Sequence, residues 1–291
     1  MRPNREHLAA LLAVVDTGTF ESAAAALHIT PSAVSQRIKA LETQVGQLVV
    51  VRSNPCVTTA AGARLLLMAR QIDLLEREAW ADIDRSDGVI DAPVAVNADS
   101  LATWFPAVFE ILSANPSLQL RLHLDDQVHT TGLIRTAAVL GAVTSEHIPV
   151  QGCSIERLGT MRYVPVAAPA LIDRHSTGRG IAWRTLPVVR FNDKDDLQHD
   201  ILARHGVDDP EICHVVPSSQ GFAAAVHAGL GWGALPDADL GDALESGRLR
   251  RLGARLHVDV PLYWQRWRLD SPALRIISDA VLAAARQGLR R

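Results

Sequence analysis

The sequence predicts an α+β chain of several domains: an N-terminal winged helix-turn-helix, a long linker helix, and a C-terminal pair of α/β lobes. Three observations carry this expectation. Helical periodicity dominates residues 8–83, interrupted once by a short β-branched run. From Pro93 onward, short apolar strands alternate with helical stretches. At 291 residues and 31.5 kDa, the chain is also too long for one ordinary core and suits two or three lobes.

Composition bounds the class. Hydrophobic residues make up 48%, charged residues 21%, and mean hydropathy is +0.09, the values of a soluble globular protein. No apolar run approaches the roughly 20 residues of a membrane-spanning helix. Met1–His7 leads into an amphipathic segment without a small-residue cleavage site, which predicts no secretory signal and a cytoplasmic location. Cys56, Cys153 and Cys213 are far apart and form no C-x-x-C, which argues against a zinc ribbon or redox pair and for reduced, structural thiols. Net charge is -3, but residues 1–65 hold six arginines and lysines against four acids. A local basic face is what nucleic-acid binding requires, so composition permits it.

The first helix is marked by Leu8, Leu11, Leu12 and Val15 and stopped by Gly18. A second, alanine-rich helix runs from about Glu21 to Leu27, with Ser22 near its start. After the turn His28-Ile29-Thr30, Thr30 is placed to cap a third helix with Pro31 in its first position. That helix continues to Val45 and ends at Gly46. Val34, Ile38 and Leu41 share one face; Ser32, Ser35, Gln36 and Lys39 fall largely on the other. Two helices, a tight turn and a short polar outer face make a helix-turn-helix pattern, with an ordinary three-helix bundle as the alternative. Hydroxyl and amide groups near Ser32, Ala33, Ser35 and Gln36 suit base edges, while Arg37 and Lys39 suit phosphates.

Gln47–Arg52 and Cys56–Thr58 read as two strands around the turn Ser53-Asn54-Pro55, a wing with Arg52 at its edge as a phosphate candidate. Thr59 caps a long helix from Ala60 to about Ile83. Its stripe of Leu65, Met68, Ile72, Leu75 and Ala79 calls for a partner, most simply a second copy of the chain. Asp84–Gly88 reads as a hinge.

Beyond it, strands are expected at Pro93–Val96, Leu118–Leu124, Val139–Thr144 and Tyr163–Ala167, and in a second lobe at Leu186–Phe191 and Cys213–Pro217. Gly229–Pro236 reads as a glycine-rich strand approach. Asn97–Ser100 turns into a helix near Leu101 that Ser100 is placed to cap, leaving N–H groups for an anion. No dinucleotide fingerprint, nucleophile elbow, zinc-protease motif or cofactor signature appears, and the histidines are scattered.

The stretch Phe20-Glu21-Ser22-Ala23-Ala24 through Leu27-His28-Ile29-Thr30-Pro31-Ser32-Ala33-Val34-Ser35-Gln36-Arg37-Ile38-Lys39-Ala40-Leu41-Glu42 resembles the signature of the LysR-type transcriptional regulators. Val51-Arg52 and Thr59-Ala60-Ala61-Gly62 extend the match. The resemblance implies a winged helix-turn-helix DNA-binding domain over 1–62, a dimerisation linker helix and hinge over 63–90, and an effector domain over 91–291. That domain would be two-lobed and periplasmic-binding-protein-like, with lobe I at about 91–163 and 268–291 and lobe II at about 164–267. The crossing strands would lie near Met161–Val166 and Leu262–Leu269. More narrowly, Asn97–Phe105, Gly141–Thr144 and Pro261–Trp267 are similar to the ArgP/LysG (IciA) subgroup, which responds to lysine or arginine and controls basic amino acid export.

The resemblance implies double-stranded promoter DNA, the chain itself (as dimer or tetramer) and a basic amino acid as partners, with no catalysis, cofactor, metal or membrane. Ser100 and Thr103 are candidates for the effector's α-carboxylate, and Asp99, Asp125 or Asp126 for its ammonium groups. Trp264 or Trp267 is a candidate stacking surface, with the core as the alternative. Trp104, Thr144 and either Ser218 or Ser219 complete the set. Two other readings share much of this pattern: an architectural or replication-origin DNA-binding protein, and an amino-acid-binding enzyme with an appended DNA-binding domain.

Overall fold

The structure, a computed structural model, describes residues 3–84, 89–124, 130–178, 180–192 and 195–291. Of the expected hinge Asp84–Gly88, residues 85–88 lie outside them, as do Asp125 and Asp126, while Asp84 is still helical.

The head comprises α1 (Arg5–Thr17), α2 (Phe20–Leu27), α3 (Pro31–Val45) and the wing strands β1 (Val50–Val51) and β2 (Val57–Thr58). Each helix begins on a side-chain cap: Asn4 accepts from Glu6 N, Thr19 from Ser22 N, and Thr30 from Ala33 N. Gly18 and Gly46 end α1 and α3 in the left-handed conformation, at φ 80° and 73°. Leu8, Leu11, Val14, Val34, Ile38, Leu41, Val49 and Leu66 form the head's core. The wing strands are shorter than expected. Two residues pair on each side, and Cys56 N donates to Gly18 O at 2.8 Å, tying the wing to the α1–α2 turn.

Helix α4 (Ala60–Asp84) starts where Thr59 Oγ1 accepts from Gly62 N. A Cβ on Gly62 would lie 1.9 Å from Val49 O, so only glycine lets the helix begin against the wing.

The remaining chain runs β3 (Ile90–Val96), α5 (Ala98–Ala102), α6 (Pro106–Leu112), β4 (Leu118–Leu124), α7 (Thr130–Arg135), β5 (Gly141–Thr144), β6 (Cys153–Ala167) and α8 (Pro169–Arg174). Next come β7 (Ser176–Thr177), β8 (Gly180–Ile181), β9 (Val188–Arg190), α9 (Asp196–Arg204), β10 (Cys213–Val215), α10 (Ser219–His227) and β11 (Gly233–Pro236). A 3-10 turn (Asp237–Asp239), α11 (Gly241–Glu245), β12 (Arg250–Arg251), β13 (Val258–Trp267) and α12 (Pro272–Gly288) complete it.

One sheet, ordered β11-β6-β13-β5-β3-β4 with β12 beside β6, spans both lobes. Strands β6 and β13 are the crossing pair, antiparallel from Val258↔Tyr163 to Trp267↔Cys153. Tyr163–Ala167 is thus the end of a strand that begins ten residues earlier than expected. The second crossing is also displaced. Tyr263–Arg266 already pair with β5 in lobe I, so the chain crosses before Leu262 rather than along Leu262–Leu269. In β4, Leu118, Leu120 and Leu122 are half-buried as the alternation requires, but Leu124 at the strand's end is exposed. Among the described residues, no helix is long and apolar enough to cross a membrane.

Candidate DNA-reading surface and interlobe cleft

Helix α3 buries Val34, Ile38 and Leu41 and leaves Ser32, Gln36 and Lys39 exposed, with Ser35 and Ala33 half-buried. Ser22 at the start of α2 is exposed beside them. Thr30 is exposed, and its hydroxyl serves as the cap. Arg37 is engaged within the head: its Nη2 donates to Glu6 Oε2 at 2.9 Å, locking α3 to α1 rather than projecting outward. Arg52 lies over the Phe20 ring, 4.7 Å from its centroid, which holds an exposed cation between wing and α2. The surface therefore offers small hydroxyl and amide groups flanked by Lys39 and Arg52, a chemistry suited to base edges and phosphates.

The cleft is built on Asp99. Helix α5 begins three residues earlier than expected because Asn97, not Ser100, is its cap, accepting from Ser100 N at 2.8 Å. Asp99 then sits in the first turn. Its carboxylate accepts from Tyr163 Oη at 2.9 Å on the crossing strand and from Ser219 Oγ at 2.8 Å at the start of α10 in lobe II. Two further carboxylates from lobe II feel its charge. Asp195 and Asp239 are both pushed above the ordinary aspartate range, chiefly by burial, and Asp99 adds to each shift. Asp195 is partly compensated by the N–H groups of Phe191 and Leu197 and by Arg190. Acidic groups contributed by both lobes make a site for a cation, where each charge-assisted bond contributes about 1.5–3 kcal/mol.

Ser100 Oγ and Asn97 Nδ2 are buried and have no hydrogen-bond partner among the described residues. Ser218 caps α10. Thr144 is buried at the end of β5, where its hydroxyl accepts from Glu146 N. Thr103 spends its hydroxyl on Asp99 O at 2.7 Å. It also lines a cavity of about 290 Å³ between the lobes, with Arg162, Asp237 and Arg290.

The tryptophans correct the stacking expectation. Trp264 is fully buried, its ring against Gly141 and its Nε1 donating to Ser278 Oγ at 3.0 Å. Trp267 is fully buried, and Trp104 packs edge-on to Phe105. All three belong to one hydrophobic core, Trp264 between Gly141 of β5 and Ser278 of α12 and Trp104 against Gly288 of α12. Tyr163, Asp195 and Asp239 were not among the expected effector residues, whereas Ser219, expected as an alternative to Ser218, is the one that meets Asp99. An available signal was position: Asp195 and Asp239 follow β9 and β11, and ligands of α/β lobes gather at strand ends.

Residues 5–63 match the model of the lysR-family bacterial regulatory helix-turn-helix, and residues 94–286 that of the LysR substrate binding domain. The chain is 47% identical over 289 residues to the lysine export transcriptional regulatory protein LysG of Corynebacterium efficiens, covering 99% of each. It is similar to full-length LysG from Corynebacterium glutamicum with bound effector Arg, with TM-score 0.89 and 43% identity over 99% of this chain and 100% of that one. A second full-length LysG structure from that organism aligns over 100% of both chains with TM-score 0.66 at 42% identity. These relatives are regulators, not enzymes, and the chain belongs to the LysR family of bacterial helix-turn-helix regulators.

Proposed function

We propose that this chain is a cytoplasmic, DNA-binding transcription regulator that senses lysine or arginine and controls an exporter of basic amino acids. The observation that carries the reading is the convergence of Asp99, Asp195 and Asp239 on one interlobe cleft, in a chain similar over its whole length to arginine-bound LysG. A basic amino acid brings two cations and one carboxylate. The acidic groups suit the cations, and the buried Ser100 hydroxyl and Asn97 amide suit the carboxylate. Asp125 and Asp126 remain candidates for the same ammonium groups.

Ser22, Ser32, Ser35 and Gln36 would read base edges, with Lys39 and Arg52 on phosphates. Paired heads on one promoter follow from pairing of two α4 helices. An effector that binds one lobe arrangement better than another shifts the population toward it, and with it the placement of the heads. Calorimetry with lysine, arginine, histidine, leucine and glutamate tests the reading. Saturable binding by lysine or arginine and none by glutamate is expected; equal binding of leucine or glutamate would sink it.

A further inference from the structure

The linker helix docks on lobe I along one face. Arg70, Leu74 and Glu78 recur every four residues and so lie on a single stripe. Leu74 is buried in the lobe I core, Leu67 packs against that core, and Glu78 meets the start of α12. One turn nearer the head, this face becomes a three-way joint. The Arg70 guanidinium donates through Nη2 to the Asp16 carboxylate in α1 of the head and through Nη1 to the Ala137 carbonyl in lobe I. The side chain is largely buried, and its planar fork lets one cation serve two acceptors on separate bodies.

Ala137 leads through Val139 and Leu140 into β5, whose far end carries Thr144. Strand β3, paired with β5, leads into Asn97–Ser100. Lobe I thus has cleft residues at one end of its parallel strands and the Arg70 joint at the other. The two full-length LysG structures match this chain with TM-scores of 0.89 and 0.66 over nearly all of each chain.

We propose that Arg70 is the coupling residue that fixes the reading head to lobe I, so that effector-driven movement of lobe I reaches the head through Asp16. The proposal rests on the regulatory reading above for its ligand. The test uses the full chain with Arg70→Met, which keeps the apolar stem and removes both hydrogen bonds, and Asp16→Asn, which removes the charge on the head's side. Arginine affinity by calorimetry should stay within about twofold of the parent. The ratio of promoter affinities with and without saturating arginine should fall toward one in both variants and recover partly in Arg70→Lys. A parental ratio in Arg70→Met, or in Asp16→Asn if the former does not fold, would overturn the proposal.

A ligand-independent measurement separates this from the functional reading. Spin labels at Glu21→Cys and Glu110→Cys in a Cys213→Ser background, diluted into unlabelled protein, report the distance from head to lobe I. The distribution should be narrow in the parent and broadened by Arg70→Met or Asp16→Asn. An unchanged distribution removes the joint whatever the ligand proves to be. A parent whose DNA binding ignores arginine would instead fail the functional reading.

Discussion

Glu78 of the linker helix caps the C-terminal helix from outside: its Oε1 accepts from Ser271 Oγ at 2.6 Å and from Ala273 N at 2.9 Å. Ser271 is itself the N-cap residue of α12, accepting from Leu274 N, so two residues 193 positions apart share the work of satisfying one helix start. A buried carboxylate there also faces the positive end of the helix dipole. Glu78→Ala leaves buried donors unmet and should lower stability by about 1–3 kcal/mol. Glu78→Gln, which keeps an acceptor, should lose less. Urea unfolding of both variants checks this, and equal losses would show that the acceptor is not what matters.

On the reading surface, Gln36 and Lys39 should fail differently. Gln36→Ala should cost about 1–3 kcal/mol on the promoter site and relax discrimination at one or two base pairs. Lys39→Ala should weaken all sequences alike and reduce the slope of log K against log salt by about one. Titration of promoter and scrambled fragments at several salt concentrations distinguishes them. Identical behaviour would remove α3 from the groove.

In the cleft, Asp99→Asn keeps an acceptor for Tyr163 or Ser219 but removes the charge. Loss of a charge-assisted bond of about 1.5–3 kcal/mol predicts roughly 10- to 150-fold weaker arginine binding. Calorimetry showing parental affinity would move the cation elsewhere.

The raised values at Asp195 and Asp239 carry a sign. A carboxyl raised in the folded protein keeps its proton where the unfolded chain, near 3.8, has lost it. These groups therefore make stability fall as pH rises above 3.8 and through their raised values, after which the penalty is constant. The two cationic groups of a bound basic amino acid favour the ionised forms. Arginine affinity should weaken as pH falls through that range, with proton release on binding. Calorimetry in two buffers of different ionisation enthalpy measures the released protons; none released at any acidic pH would separate these carboxyls from the ligand.

Outside the docked face, α4 exposes Leu75, Ala79, Trp80 and Ile83, with Ile83 68% exposed. An apolar stripe of that kind on a regulator helix suits a second copy of the same helix. Leu75→Glu with Ile83→Glu should shift the protein toward monomer in light scattering and weaken promoter binding by far more than effector binding. An unchanged mass would place the self-interface elsewhere.

Local chemistry made the head legible in the amino-acid sequence. Thr30-Pro31, Gly18, Gly46 and Thr59-Ala60-Ala61-Gly62 are stop and start signals read within one turn of backbone, and Val34, Ile38 and Leu41 declare their face by spacing alone. The alternation of strands and helices likewise announced α/β lobes. The cleft was less legible, because its members come from residues 97–100, 163, 195, 219 and 239, which no periodicity relates. Only packing decided that Asn97 rather than Ser100 caps α5, and that Trp264 and Trp267 are core rather than stacking surfaces. The same holds for Arg70, whose place in an amphipathic helix is apparent from spacing, while its bridge between Asp16 and Ala137 exists only once three bodies meet. Capping and periodicity act over a few residues. Charge pairing across a cleft or a joint acts over distances in space that chain position does not encode.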